Sequence, residues 1–356
     1  MRKLFVFLGV VAMTIGSALR AQEVDSTAPL QKSSWGDANE CEITEYIPEI
    51  RLDARGGYHQ DFTDKAGRFC GDGLFLDING KISPHFSYSL NHRIAGPEGS
   101  DALGFGNTNW LLLTFETEHF SISAGKDAIF VGSFEYDAYD LDSYGEMNSM
   151  FWNTISPWQW GVSAAWYPAE GQSLSLQCLN SPFSDYETPN LFSYALAWRG
   201  EWDFYESYWT ANLWQYDTGS YVKALNLGNR FYFGNFTFDL EFATRADQLN
   251  GLFKDDITAM FAPSYEWEWG RAFAKYGWER ITVDTMGYDF TGDNMFYGLG
   301  IEFFPLKGNK DIRIHTAWMS NTNYTGCHVL DIGLTWKMNL TEAGRRLFNR
   351  LTNRQK

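Results

Sequence analysis

The densest run of chemically capable side chains lies between residues 128 and 156. Glu135, Asp137, Asp140, Asp142 and Glu146 are interleaved there with Tyr136, Tyr139 and Tyr144, and no Lys or Arg occurs from residue 127 to 198. Carboxylates crowded into a narrow, partly desolvated space attract cations and repel anions. The run lacks the glycine-bearing loop of an EF-hand, so its spacing defines no calcium site. Cys41, Cys70, Cys178 and Cys327 include no CxxC pair, and the six histidines form no ligand pattern. No metal or cofactor is therefore expected. His59, His85, His92, His119, His315 and His328 carry no nucleophile motif around them. The expectation is that the chain is not an enzyme.

The elements that must hold these residues follow from patterning. The chain has 356 residues, 44 % of them apolar and 17 % aromatic, with 15 Trp, 19 Tyr and 28 Phe. Only 20 % are charged, and the formal net charge is −16. Such a balance argues against disorder and against a nucleic-acid partner. Residues 1–21 read as a secretory signal: Arg2 and Lys3 precede an apolar run from Leu4 to Ile15, with small residues leading to cleavage after Ala21 or Ala18. No later apolar run reaches 18 residues, so a membrane-embedded form would have to be a closed barrel.

Period-two alternation is pervasive. Phe236, Phe238, Leu240 and Phe242 oppose Thr237, Asp239, Glu241 and Arg245; Leu330, Ile332, Leu334 and Trp336 oppose Asp331, Gly333, Thr335 and Lys337. The pattern predicts 16 strands: 47–58, 72–82, 84–93, 109–117, 119–127, 157–167, 172–181, 191–201, 204–215, 221–233, 236–246, 259–269, 272–281, 294–304, 311–320 and 327–339. Short links alternate with longer ones at 59–71, 94–108, 128–156, 182–190, 247–258, 282–293 and 321–326, and only 216–220 breaks the rhythm. This is the periplasmic-turn and outer-loop pattern of an all-β transmembrane antiparallel barrel. A soluble β-sandwich would leave the outward aromatics unexplained. Residues 22–46 read as an N-terminal periplasmic segment and 47–340 as the barrel, with loop 128–156 folding inward. Residues 341–356 form a basic tail, either disordered or a short helix with Leu347, Phe348 and Leu351 on one side. The wet strand faces place Arg51, Arg55, Lys81, Arg93, Arg199, Arg230, Asp239, Glu241 and Arg245 toward the lumen. Tyr208, Trp214 and Tyr232 form either a sugar slide or part of an aromatic girdle. Cys70 and Cys327, on strands flanking the first, are candidates for a disulfide, with free thiols as the alternative.

The run Gly80-Lys81-Ile82 to Tyr88-Ser89-Leu90-Asn91, then Asn107-Thr108-Asn109-Trp110 and Phe120-Ser121-Ile122-Ser123-Ala124-Gly125-Lys126 before a long loop, resembles the phosphate-selective porin O and P family of Gram-negative outer membranes. The clearest match covers residues 70–155. The resemblance implies a 16-stranded diffusion channel in outer-membrane lipid, often a homotrimer, passing small hydrophilic solutes or ions past an inward-folded third loop. It also implies an outer-membrane location in a Gram-negative-type cell. The family draws its anion preference from Arg and Lys at the constriction, whereas loop 128–156 is acidic, so a cation-favouring pore is expected. A plugged structural or adhesive barrel, or an anion channel of the family's usual kind, are the alternatives.

Overall fold

Alternating side chains resolve into a barrel because lipid leaves no water to satisfy backbone N–H and C=O groups, so a sheet spanning it must close on itself. The computed structural model describes residues 46–96, 105–138, 140–184, 190–282, 290–307, 309–323 and 325–353; the side chains of residues 140, 153–154 and 347–353 are outside that description. The strands are β1 (Glu49–Asp61), β2 (Ala66–Ser83), β3 (Phe86–Ala95), β4 (Thr108–Glu116), β5 (Phe120–Ala128), β6 (Trp158–Ala169), β7 (Gln172–Asn180) and β8 (Phe192–Trp202). They continue as β9 (Tyr205–Asp217), β10 (Ser220–Phe233), β11 (Phe236–Ala246), β12 (Asp256–Trp267), β13 (Gly270–Ile281), β14 (Gly292–Phe303), β15 (Ile312–Asn321) and β16 (Cys327–Asn339). Each pairs antiparallel with its sequence neighbours, and β1 closes the ring on β16, from Arg51 opposite Asn339 to Asp61 opposite Val329. The sequence therefore specified the fold class and the strand count, with most ends within about three residues.

The outer face carries the apolar phase: Leu176, Leu196, Leu240, Leu299 and Ile301 are exposed. Aromatic side chains concentrate where the turns are short. Rings touch in series from Trp202 to Tyr205 to Phe231 to Phe238, and from Tyr265 through Trp267 and Trp269 to Phe303. A belt of this kind matches the amphipathic depth at which a bilayer meets water.

Two local expectations need correction, and between the two readings of the tail the structure has the helix. The first link is short, not long: β1 runs to Asp61 and β2 begins at Ala66, so the residues assigned to link 59–71 mostly extend a hairpin. Its glycines, Gly67, Gly71 and Gly73, had masked a strand. The tail begins as α2 (Leu340–Asn353), growing directly out of β16; Thr341 Oγ1 ties it down, accepting from Ile50 N at 2.9 Å and donating to the Pro48 carbonyl at 2.8 Å. Secondly, Cys70 and Cys327 are both free. Cys70 lies level with Gly57, which faces Gly333 on the other side, and Cys327 is six residues before Gly333. Two strand spacings and six residue rises separate the thiols by about 10 Å across and 20 Å along the sheet, far beyond disulfide reach. The signal peptide, Cys41 and most of segment 22–46 fall outside the described residues.

Candidate functional site

The long segment between β5 and β6 enters the barrel and packs on inward side chains. Ile129, Val131, Phe134, Leu141, Tyr144, Met147, Met150 and Phe151 are all buried. The wall grips the segment mainly through its backbone. Gln177 accepts from Phe130 N and donates to the Ala128 carbonyl, both at 2.9 Å. Glu241 accepts from Phe134 N at 3.0 Å and Glu135 N at 3.1 Å. Glu279 accepts from Met150 N at 2.8 Å, at the start of the short helix α1 (Met150–Thr154), whose N-cap is Ser149. Arg55 donates to the Ser143 carbonyl at 2.6 Å. Near the entry, Gly132 has φ +65, and a Cβ there would come within 2.8 Å of Thr210 N and Oγ1. Glycine thus allows both the left-handed turn and the close approach to the wall.

The acidic run is not an unpaired ring. Glu135 meets Lys275 Nζ at 2.5 Å, Asp137 meets Arg199 Nη2 at 2.9 Å, and Asp142 pairs with Arg313 and, at 2.9 Å, with Lys337 Nζ. Burial opposes ionisation of Asp142, but Arg313 and Lys337 outweigh it and hold the carboxyl below its ordinary range. The lack of Lys and Arg between residues 127 and 198 does not leave these three acids unpaired, because their partners stand on β8, β13, β15 and β16, brought near only by closure of the barrel. Tyr144 donates to Glu302 at 3.0 Å and lies under the Arg55 guanidinium; burial, and then Glu302, raise its phenol above the usual value. Tyr136 donates to the Ile155 carbonyl at 3.4 Å and packs on Phe151. Glu146 sits in a 3₁₀ turn, Gly145–Met147. Tyr139 and the Asp140 side chain are outside the described residues.

The charged strand residues named from the pattern divide into two groups. Arg55, Arg199, Arg230, Glu241 and Arg245 touch the loop; Arg230 and Arg245 lie 4.1 and 4.7 Å from the Phe134 and Phe151 ring centres. Asp239 pairs with Arg230 at 2.7 Å, Arg51 lies 3.6 Å from Asp53, Arg93 covers the Phe75 ring, and Lys81 lines the cavity at the short-turn end. Sequence reasoning missed Lys275, Glu279, Glu302, Arg313 and Lys337 as loop partners, although alternation had put Lys337 on a polar face. Tyr208 and Trp214 keep the inward phase but are neither a slide nor a girdle. Trp214 is fully buried with its ring 5.5 Å from Phe151, and Tyr208 lies under Arg199. Tyr232 donates to Glu206 at 2.9 Å.

Space remains on one side of the loop. A cavity of about 370 Å³ is lined by Arg51, Asp53, Asp77, Trp110, Trp158 and Lys337, among others. It shares Asp127, Ala128, Tyr136 and Asp137 with a cavity of about 250 Å³ against Ser175 and Arg199. That cavity shares Ser173 and Arg199 with a larger one, about 810 Å³, at the short-turn end. The first two together present Asp53, Asp77, Asp127 and Asp137 against Arg51, Arg199 and Lys337, so both signs line these cavities.

No protein-family model and no curated protein matches the chain, so the resemblance to the phosphate-selective family rests on its short motifs alone. Solved structures match in fold. A refined porin aligns over 82 % of this chain and 100 % of its own with 12 % identity and a TM-score of 0.57. A mutant of the Rh. blastica porin aligns over the same shares with 12 % identity and a TM-score of 0.56. OmpT, an outer membrane protein of Vibrio cholerae in its trimer form, covers 82 % of this chain and 99 % of its own at 11 % identity and a TM-score of 0.58. At such identities the likeness is one of fold: this chain has the closed 16-stranded antiparallel architecture of those outer-membrane barrels.

Proposed function

We propose that the protein is an outer-membrane porin, a passive diffusion channel for small hydrophilic solutes or ions in a Gram-negative-type cell. The observation that carries this reading is the series of cavities sharing lining residues beside the loop, from Arg51 and Trp158 to the turn at Glu170. Sixteen strands enclose more space than their own side chains fill, and the loop occupies only part of it. Its Tyr136–Asp137 edge, with Asp127 and Arg199, lines the smallest of these three cavities. Because Glu135, Asp137 and Asp142 are each paired with a cation, the constriction is close to charge-balanced. Its preference for cations is correspondingly weak, and lower than five unpaired acids would give. The fold's likeness to barrels that include a trimer form makes a homotrimer in outer-membrane lipid the natural assembly.

Single-channel recording in a planar bilayer tests the reading. Discrete open steps are the expected result. A folded barrel that conducts nothing supports the plugged structural or adhesive alternative, in which the loop seals the lumen.

A further inference from the structure

At the opposite end of β1 from α2 lies a cluster that the channel reading does not use. We infer that His59, Cys70 and Asp72 form a binding site for a borderline-soft divalent cation of the Zn²⁺ class, with the Asp331 carboxylate beside it. The site rests on register. Arg55 pairs with Gly73 and Gly56 with Gly71, so Asp72 is the extra residue of a β-bulge. A bulge re-aims the side chain it carries. Here it brings Asp72 to the same place as Cys70 two residues earlier and His59 on the adjacent strand.

The distances suit ligation. His59 Nε2 is 3.0 Å from Asp72 Oδ1, and Cys70 Sγ is 3.7 Å from the same oxygen. All three donor atoms lie within 4.8 Å of one another, and among the described residues this is the one His, Cys and acid grouping so arranged. Tetrahedral zinc with bonds of about 2.0–2.3 Å puts its ligand atoms roughly 3.3–3.7 Å apart, so two of the three edges are already near their final length. Asp331 Oδ1 stands 3.4 Å from His59 Nε2; its side chain is 1 % exposed, and that oxygen has no hydrogen-bond partner. The second oxygens of both carboxylates face Arg55, at 3.1 Å from Asp72 and 2.6 Å from Asp331. Arg55 thus orients the two acids and leaves one oxygen of each toward the imidazole.

Charge also balances. A thiolate and two carboxylates offset a divalent ion plus the Arg55 guanidinium. On binding, the Cys70 thiol gives up its proton to water as the sulfur–metal bond forms. A sulfur, nitrogen and oxygen donor set favours zinc-like ions over calcium or magnesium, which take oxygen ligands.

Cadmium serves as the probe, because a cadmium–thiolate bond has an ultraviolet charge-transfer band. Titrating Cd²⁺ alone into the folded, detergent-solubilised full chain should raise that band to saturation at one equivalent, and Zn²⁺ should compete it away. Cys70→Ser should abolish the band, while Cys178→Ser and Cys327→Ser should leave it. His59→Gln should keep the band but weaken binding at least about tenfold, since loss even of a partner that only orients a ligand costs that much. Retention of the heat-modifiable folded form certifies each variant. The inference is overturned by a wild-type protein with no band, by a band that survives Cys70→Ser, or by unchanged affinity in His59→Gln. None of these readouts uses conductance, so the site and the channel reading stand or fall separately.

Discussion

Glu135 shows how the loop's charges are spent. Its carboxylate accepts from Ser149 N at 2.8 Å and from the Ser149 hydroxyl, and it meets Lys275, which also donates to Asn148 Oδ1 at 2.7 Å. Both side chains are at most one-tenth exposed. Removing one partner of such a pair leaves a buried charge and costs about 3–5 kcal/mol, whereas removing both costs much less. Lys275→Met should therefore speed hydrogen exchange at the Glu135 and Ser149 amides sharply, and Glu135→Gln/Lys275→Met should restore most of the protection. Equal exchange in the two variants would contradict the pairing. The Asp137–Arg199 pair differs: it is 31–46 % exposed and lines the passage. A partly solvated charge there is worth about 0.5 kcal/mol, roughly a twofold change in the ratio of cation to anion permeability. Asp137→Asn should lower that ratio and Arg199→Ala should raise it, as read from reversal potentials in a salt gradient.

At the scale of the element, the loop is a tethered insert. Phe151 against Trp214 and Met147 among Ala317, Met319 and Val329 give it an apolar underside. Asp142 clamps its far end between Arg313 on β15 and Lys337 on β16. Since that carboxyl is held below its ordinary range, its contribution to the clamp is complete above about pH 4. It is lost only as the pH falls through the lowered value. Wild-type channels should therefore stay quiet in mild acid and flicker only in stronger acid. Asp142→Asn should flicker at neutral pH, with the loop's ion pairs to Arg313 and Lys337 lost, and change less on acidification. A quiet Asp142→Asn channel would show that the clamp does not hold the loop.

For the whole molecule, the proposed channel would take its selectivity from the balance of signs along these cavities. Four acids and three bases line the two smaller of the three cavities. The reversal potential of the wild-type channel should show a small cation preference at low salt. That preference should fade toward zero as the screening length shrinks to about 3 Å at 1 M. A strong anion preference would instead return the selectivity to wall cations such as Arg51, Arg93 and Arg199, in keeping with the phosphate-selective resemblance.

What the amino-acid sequence determined by itself was everything repeated locally. Alternation such as Phe238-Asp239-Leu240-Glu241 records at each residue which side faces lipid, and short links such as Gly234-Asn235 mark one rim. The strand number, the all-β class and the inward phase of Arg55 and Glu241 were legible for that reason, whereas the phase of Trp214 was open between slide and girdle. Closure of the barrel decided the rest. Glu135 and Lys275 are 140 residues apart, Asp142 and Lys337 are 195, and Arg55 and Asp331 are 276. Nothing local records those distances, because they arise only when β1 pairs with β16 and the loop lies across the ring. The same closure separates Cys70 from Cys327, and the bulge at Asp72 places that acid beside His59. Three acids of a run that looked bare in one dimension, Glu135, Asp137 and Asp142, are therefore ion-paired in three.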